Sequence, residues 1–88
     1  MQTLKLEYTI TVSNQTYREL KMRRSKVKDR LAVSNMKNVS SEEKEIRLFA
    51  NLCDVSPDVI KELDENDYAE LQKVYMGFFN LEETSEEK

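Results

Sequence analysis

The sequence predicts an α+β fold: an N-terminal β-hairpin packed against about four short C-terminal helices. Three observations predict it. Apolar and polar residues alternate over the first dozen positions. After position 40 the apolar residues recur three and four apart, and helix-start signals come in series. At 88 residues the chain is one domain, expected over 1–81, with the hairpin in 1–24 and the helices in 25–81. A domain this small buries roughly 60–65% of the surface its unfolded chain exposes, so the core will be thin. One Gly and one Pro leave little room for long irregular loops.

Leu4, Leu6, Tyr8, Ile10 and Val12 alternate with Thr3, Lys5, Glu7, Thr9 and Thr11. Side chains flip faces at every residue of a strand, so this is a strand with one buried face, and its β-branched residues favour that state. Ser13-Asn14-Gln15-Thr16 supplies the turn, because Asn accepts left-handed backbone. Tyr17 to Arg24 reads as the second strand, with Leu20 and Met22 on one face. A hairpin alone is marginal in water, so helices must cover its apolar side.

Ser25 is placed to cap a short first helix, with Val27, Leu31 and Ser34 along one side. Asn35 to Val39 is a loop. Ser40-Ser41-Glu42-Glu43 has the pattern of a capping box, in which the Ser40 hydroxyl accepts a free backbone N–H and the Glu43 carboxylate reaches back. The helix after it sets Ile46, Phe49, Ala50 and Cys53 on one stripe, widened by Leu48 and Leu52. In "VSPDVIKELDENDYAEL", Ser56 is a cap and Pro57 fits the first helical position, where no N–H is needed. Asp58 meets the positive end of the helix dipole, and Val55 can staple to Ile60. The pattern then repeats: Asp64 caps, Glu65 and Asp67 fill the first turn, and Leu63 staples to Tyr68. Two short helices thus meet at a corner near Leu63–Asp64. The last helix carries Tyr68, Leu71, Tyr75 and Phe78 on one face, with Val74 and Phe79 beside it, and Gly77 weakens its end. Residues 82–88 form an acidic tail with nothing to bury, expected to be disordered.

Charge is unevenly placed. Residues 18–37 hold eight basic and two acidic side chains, whereas residues 38–88 hold five basic and fourteen acidic ones. A nucleic-acid site needs its cations on one face. Lys21 and Arg23 leave one face of the second strand while Arg24 leaves the other, and no aromatic platform interleaves them. A structural role is favoured, with Arg23 or Arg24 paired to Asp29 or to the acidic helices. The waist can also hold an acidic face of a partner. The alternative function is a small regulator that binds nucleic acid or a host protein through segment 18–37.

An enzyme is not expected. The chain has no His, the usual base near neutral pH, and no Gly-rich phosphate loop. Cys53 lies on an apolar helix stripe with no activating base, so it reads as an inert thiol. Asp64 and Asp67 have a sufficient task at a helix start, and no calcium-loop spacing occurs. No catalytic, metal or cofactor residue is therefore assigned. No stretch approaches the roughly 20 apolar residues of a membrane span. The alternating N-terminus does not read as a signal peptide, and a single Cys fits a reducing cytosol.

The stretch "LKMRRSKVKDRL", followed by "EKEIRLFANLCDVSPDVIKELDENDYAELQKV", resembles the small tail assembly chaperones of Mu-like and other contractile-tailed bacteriophages. The matching positions are Arg23, Arg24, Val27, Asp29, Leu48, Leu52, Val55, Ser56, Pro57, Ile60, Leu63, Asp64, Asp67, Tyr68, Leu71 and Gln72. The resemblance covers about Thr9 to Phe79. Ser25 stands where many relatives have Pro, and the turn lacks the usual Gly. The resemblance implies a non-enzymatic helper that binds the tape measure protein, a long helical chain, and keeps it soluble while tail tube subunits polymerise. It implies action in the host cytoplasm and absence from the mature virion, from a phage or prophage gene. The tail tube protein and a frameshift-extended form of the chain are further candidate partners, the latter because the Phe78-Phe79 codons can form a slippery run. Met36, Tyr75, Met76, Phe78 and Phe79 are the candidate partner-binding residues, since adaptable Met and aromatic side chains suit such grooves. Arg23, Arg24, Asp29, Ser56, Pro57, Leu63, Asp64, Asp67, Tyr68 and Leu71 are expected to be structural.

Overall fold

The structure is a computed structural model that describes residues 1–85, with side chains described for 1–79. An antiparallel hairpin, β1 (Gln2–Val12) and β2 (Gln15–Met22), precedes four helices. Between the strands Ser13 and Asn14 both take positive φ, 52° and 66°. That pair makes a two-residue turn whose twist matches the strands, so no Gly is needed and β2 begins at Gln15 rather than Tyr17.

β1 does not keep a simple alternation. Lys5 pairs with Glu19 but Ile10 pairs with Tyr17, so Leu6, Glu7, Tyr8 and Thr9 stand opposite Arg18 alone. The extra residues bend the strand and change which faces its side chains take. Leu6 stays buried, but Tyr8, expected inside, is exposed. The N–H groups of Glu7 and Tyr8 turn instead to the Asp67 carboxylate, at 3.0 to 3.1 Å.

Helix α1 (Val27–Ser34) begins after Lys26 rather than Ser25, because the Asp29 carboxylate accepts the Lys26 N–H at 2.8 Å. Its orientation reverses the sequence expectation. Val27 and Leu31 point outward, Asp29 is 3% exposed, and Val33, one turn on, packs against the core. A buried carboxylate must keep its hydrogen-bond partners, and that demand outweighs burying two aliphatic side chains.

Helix α2 (Ser41–Cys53) starts as read: the Ser40 hydroxyl accepts the Glu43 N–H at 3.1 Å. The Glu43 carboxylate turns to Arg47 and Lys61 instead of reaching back, at 3.0 and 3.4 Å. Asp54, at φ 59°, closes the helix in the left-handed region, with the Val55 N–H donating to the Ala50 carbonyl. Helix α3 (Pro57–Lys61) has Ser56 in the extended cap conformation and Pro57 in its first turn. The Asp64 carboxylate accepts the Asn66 N–H at 2.9 Å where helix α4 (Glu65–Ser85) begins. With 21 residues α4 is the exception to the four short helices, and it runs through Gly77. The tail expected over 82–88 falls on undescribed side chains and, past Ser85, outside the described residues.

β1 lies against α3 and α4, β2 against α2, and α1 against α2. Met22, Phe49, Leu52, Val59 and Leu71 form the fully buried centre. The hairpin therefore receives its cover from α2, α3 and α4, and α1 is left at the margin.

Candidate partner-binding surface

Two buried carboxylates set the geometry around this surface. Asp29 accepts both terminal nitrogens of Arg23, at 2.8 and 3.0 Å, the Lys26 N–H, and Asn51 Nδ2 at 3.0 Å. Four bonds, three from the segment joining β2 to α1 and one from α2, meet on one side chain, so α1 has a fixed roll. The Arg23 guanidinium, then the Lys26 N–H, hold the Asp29 carboxyl far below the usual carboxylate range. Asp67, 3% exposed, anchors the hairpin by filling the bulge of β1. Its position in the first turn of α4 also suits a negative charge.

Tyr68 and Gln72 converge on Glu45 of α2. The Tyr68 hydroxyl and Gln72 Nε2 both donate to the same carboxylate oxygen, the latter at 2.9 Å. Burial first, then the neighbouring carboxylate, push the Tyr68 phenol up, so it stays protonated as a donor. Phe49 lies between Tyr68 and Tyr75, with ring centroids 5.8 and 5.3 Å away, and Tyr75 meets Phe79 edge-on at 5.1 Å. This aromatic row carries the core along α4 as far as Phe79.

The candidate partner-binding residues are distributed along that gradient. Phe78 is 7% exposed, with the Arg24 guanidinium 5.3 Å from its ring centroid, and serves the chain's own core. Tyr75 and Phe79 are half-buried, as is Met36 just past α1. Met76 is 53% exposed. Two residues that sequence reasoning placed inside join them at the surface: Val27, 76% exposed, and Leu31. Val27 and Phe79 line one shallow cavity of about 210 Å³, together with Ser25, Lys26 and Arg30. The structure thus brings the start of α1 beside Phe79 of α4. The local sequence carries apolar residues on both sides of α1, Val27 and Leu31 on one and Val33 beside Asp29 on the other.

Arg23 pairs with Asp29 and Arg24 lies over Phe78, so two cations of the basic waist are engaged inside the chain. Ser56, Pro57 and Asp64 sit at helix starts, and Leu63 and Leu71 are in the core. Cys53 is buried, and burial pushes its thiol up to about 11, so little thiolate exists near neutral pH. Among the described residues no group of three His, Cys, Asp or Glu could hold a metal ion. No described helix is long and apolar enough to cross a membrane.

The family model described as "phage tail assembly chaperone proteins, E, or 41 or 14" matches residues 3–80. No curated protein and no solved structure matches the chain. The match takes in the hairpin, both buried carboxylates and the aromatic row, and on that span the chain belongs to the phage tail assembly chaperone family.

Proposed function

We propose that the chain binds the tape measure protein in the host cell and keeps it soluble until tube subunits have polymerised around it. The reading is carried by the exposed Val27, Leu31 and Met76 on a domain of a tail assembly chaperone family. Apolar side chains at helical spacing are what an amphipathic client helix packs against. Met76, with Tyr75 and Phe79 on the same helix and Met36 just past α1, supplies adaptable contact area. Phe78 supports this surface from beneath. A net charge of -3 keeps the complex in solution while the apolar strip is covered. The work is binding, without catalysis, metal or cofactor, and it ends before the virion is complete. The tail tube protein and a frameshift-extended form of the chain are further partners in this scheme. A regulator acting through segment 18–37 has less support, because Arg23 and Arg24 are committed within the chain.

Co-expression tests the proposal. The long helical protein encoded beside this chain should stay in the supernatant when the chain is present and pellet when it is absent. Equal solubility in both cases rejects it.

A further inference from the structure

The rest of the basic segment has no task in the chaperone reading so far. Three observations meet there. First, α1 turns an apolar strip outward, with Val27 and Leu31 one turn apart and both exposed. Second, Val27 and Phe79 line the same cavity, so the strip continues onto α4, where Met76 lies three residues before Phe79. Third, the rim is cationic. Among the described residues Lys26 and Arg30 line the cavity and no carboxylate does. Among the described residues neither of those side chains makes an ion pair. Acidic side chains outnumber basic ones, 17 to 14, yet none of the described ones lines this rim.

We infer that α1 and residues 76–79 of α4 form a docking surface for an amphipathic helix bearing carboxylates beside its apolar stripe. The stripe covers Val27, Leu31, Met76 and Phe79. The flanking carboxylates meet Lys26 and Arg30, which fixes the register and rejects a basic helix by like-charge repulsion. The chaperone reading supplies only the identity of the partner; its chemistry follows from the rim.

Two synthetic amphipathic peptides test this against the full chain. Both carry the same leucine stripe, one flanked by Glu and the other by Lys. The Glu peptide should bind at least about tenfold more tightly, weaken as salt rises, and shift the NMR signals of α1 and residues 76–79. The double variant Lys26→Gln/Arg30→Glu should erase the preference with an unchanged melting temperature, since both side chains are exposed. Val27→Ser/Leu31→Ser should weaken both peptides. Equal binding of the two peptides, wild-type preference in the charge variant, or shifts confined to other elements overturns the inference. Co-expression separates it from the chaperone reading. If all four substitutions together leave the tape measure protein as soluble as wild type does, the surface falls and the chaperone stands. If the Glu peptide behaves as stated but the wild-type chain does not affect tape measure solubility, the surface stands and the chaperone falls.

Discussion

Asp29 and Asp67 are almost wholly buried; Asp29 takes up one backbone N–H and Asp67 two that would otherwise lack partners. Removing either leaves donors unsatisfied, which costs more than the bond itself is worth. Asp29→Asn should lower stability by about 1–3 kcal/mol in urea unfolding. That is less than the about 3–5 kcal/mol of a fully buried pair, because the Arg23 side chain is still 37% exposed. The pH dependence has a definite sign. A carboxyl whose folded pKa is depressed stabilises the fold fully above its unfolded value, about 4, and loses that contribution as pH falls through the folded one. Stability should therefore hold from neutral pH down to about 4 and decline below it, and Asp29→Asn should flatten that decline. Glu43, lowered chiefly by Arg47, adds to the same acid limb, so the comparison with Asp29→Asn isolates the Asp29 part. For Asp67→Ala the loss should be about 1–3 kcal/mol. Amide exchange should quicken most at Glu7 and Tyr8, and unchanged exchange at those two residues would refute the clamp. The sequence pointed to an Arg23–Asp29 pair but not to the burial of Asp29 or its bonds to Lys26 and Asn51. Asp67 read as a charge at a helix start, and its partners lie as far as 60 positions away.

Among the elements, what could be read was local. Ser40, Ser56-Pro57 and Asp64 announce helix starts through groups within a few residues, and α2, α3 and α4 begin there. The apolar stripe of α2 was equally plain, because a thin core needs nearly every such residue. The roll of α1 and the bulge of β1 were not plain. Both are imposed by side chains from other elements, which outweigh the periodicity of the element itself. The reach of α4 past Gly77 belongs with them: the helix continues although glycine weakens it locally. A Cβ at Gly77 would meet nothing within 4 Å. Gly77→Ala should therefore stabilise the chain by about 0.5–1 kcal/mol, read as a higher melting temperature. A lower melting temperature would show that the end of α4 is not the helix described.

For the molecule as a whole, the division of labour follows from where burial ends. The hairpin and α2 to α4 close a core centred on Phe49, while α1 is held by polar bonds and Val33 and leaves Val27 and Leu31 in water. The radius of gyration, 13.7 Å, exceeds the about 12 Å of a compact chain this long. The long axis of 48 Å leaves extended surface for a partner. A family of tail assembly chaperones and an unburied apolar strip with a basic rim point to the same kind of work. The most direct measurement is hydrogen exchange on this chain, free and in complex with the tape measure protein. Exchange should slow over residues 27–34 and 76–79 on binding and stay unchanged at the Ser13–Asn14 turn. Slowing confined to the hairpin, or a stable complex with no slowing at α1, would contradict the account.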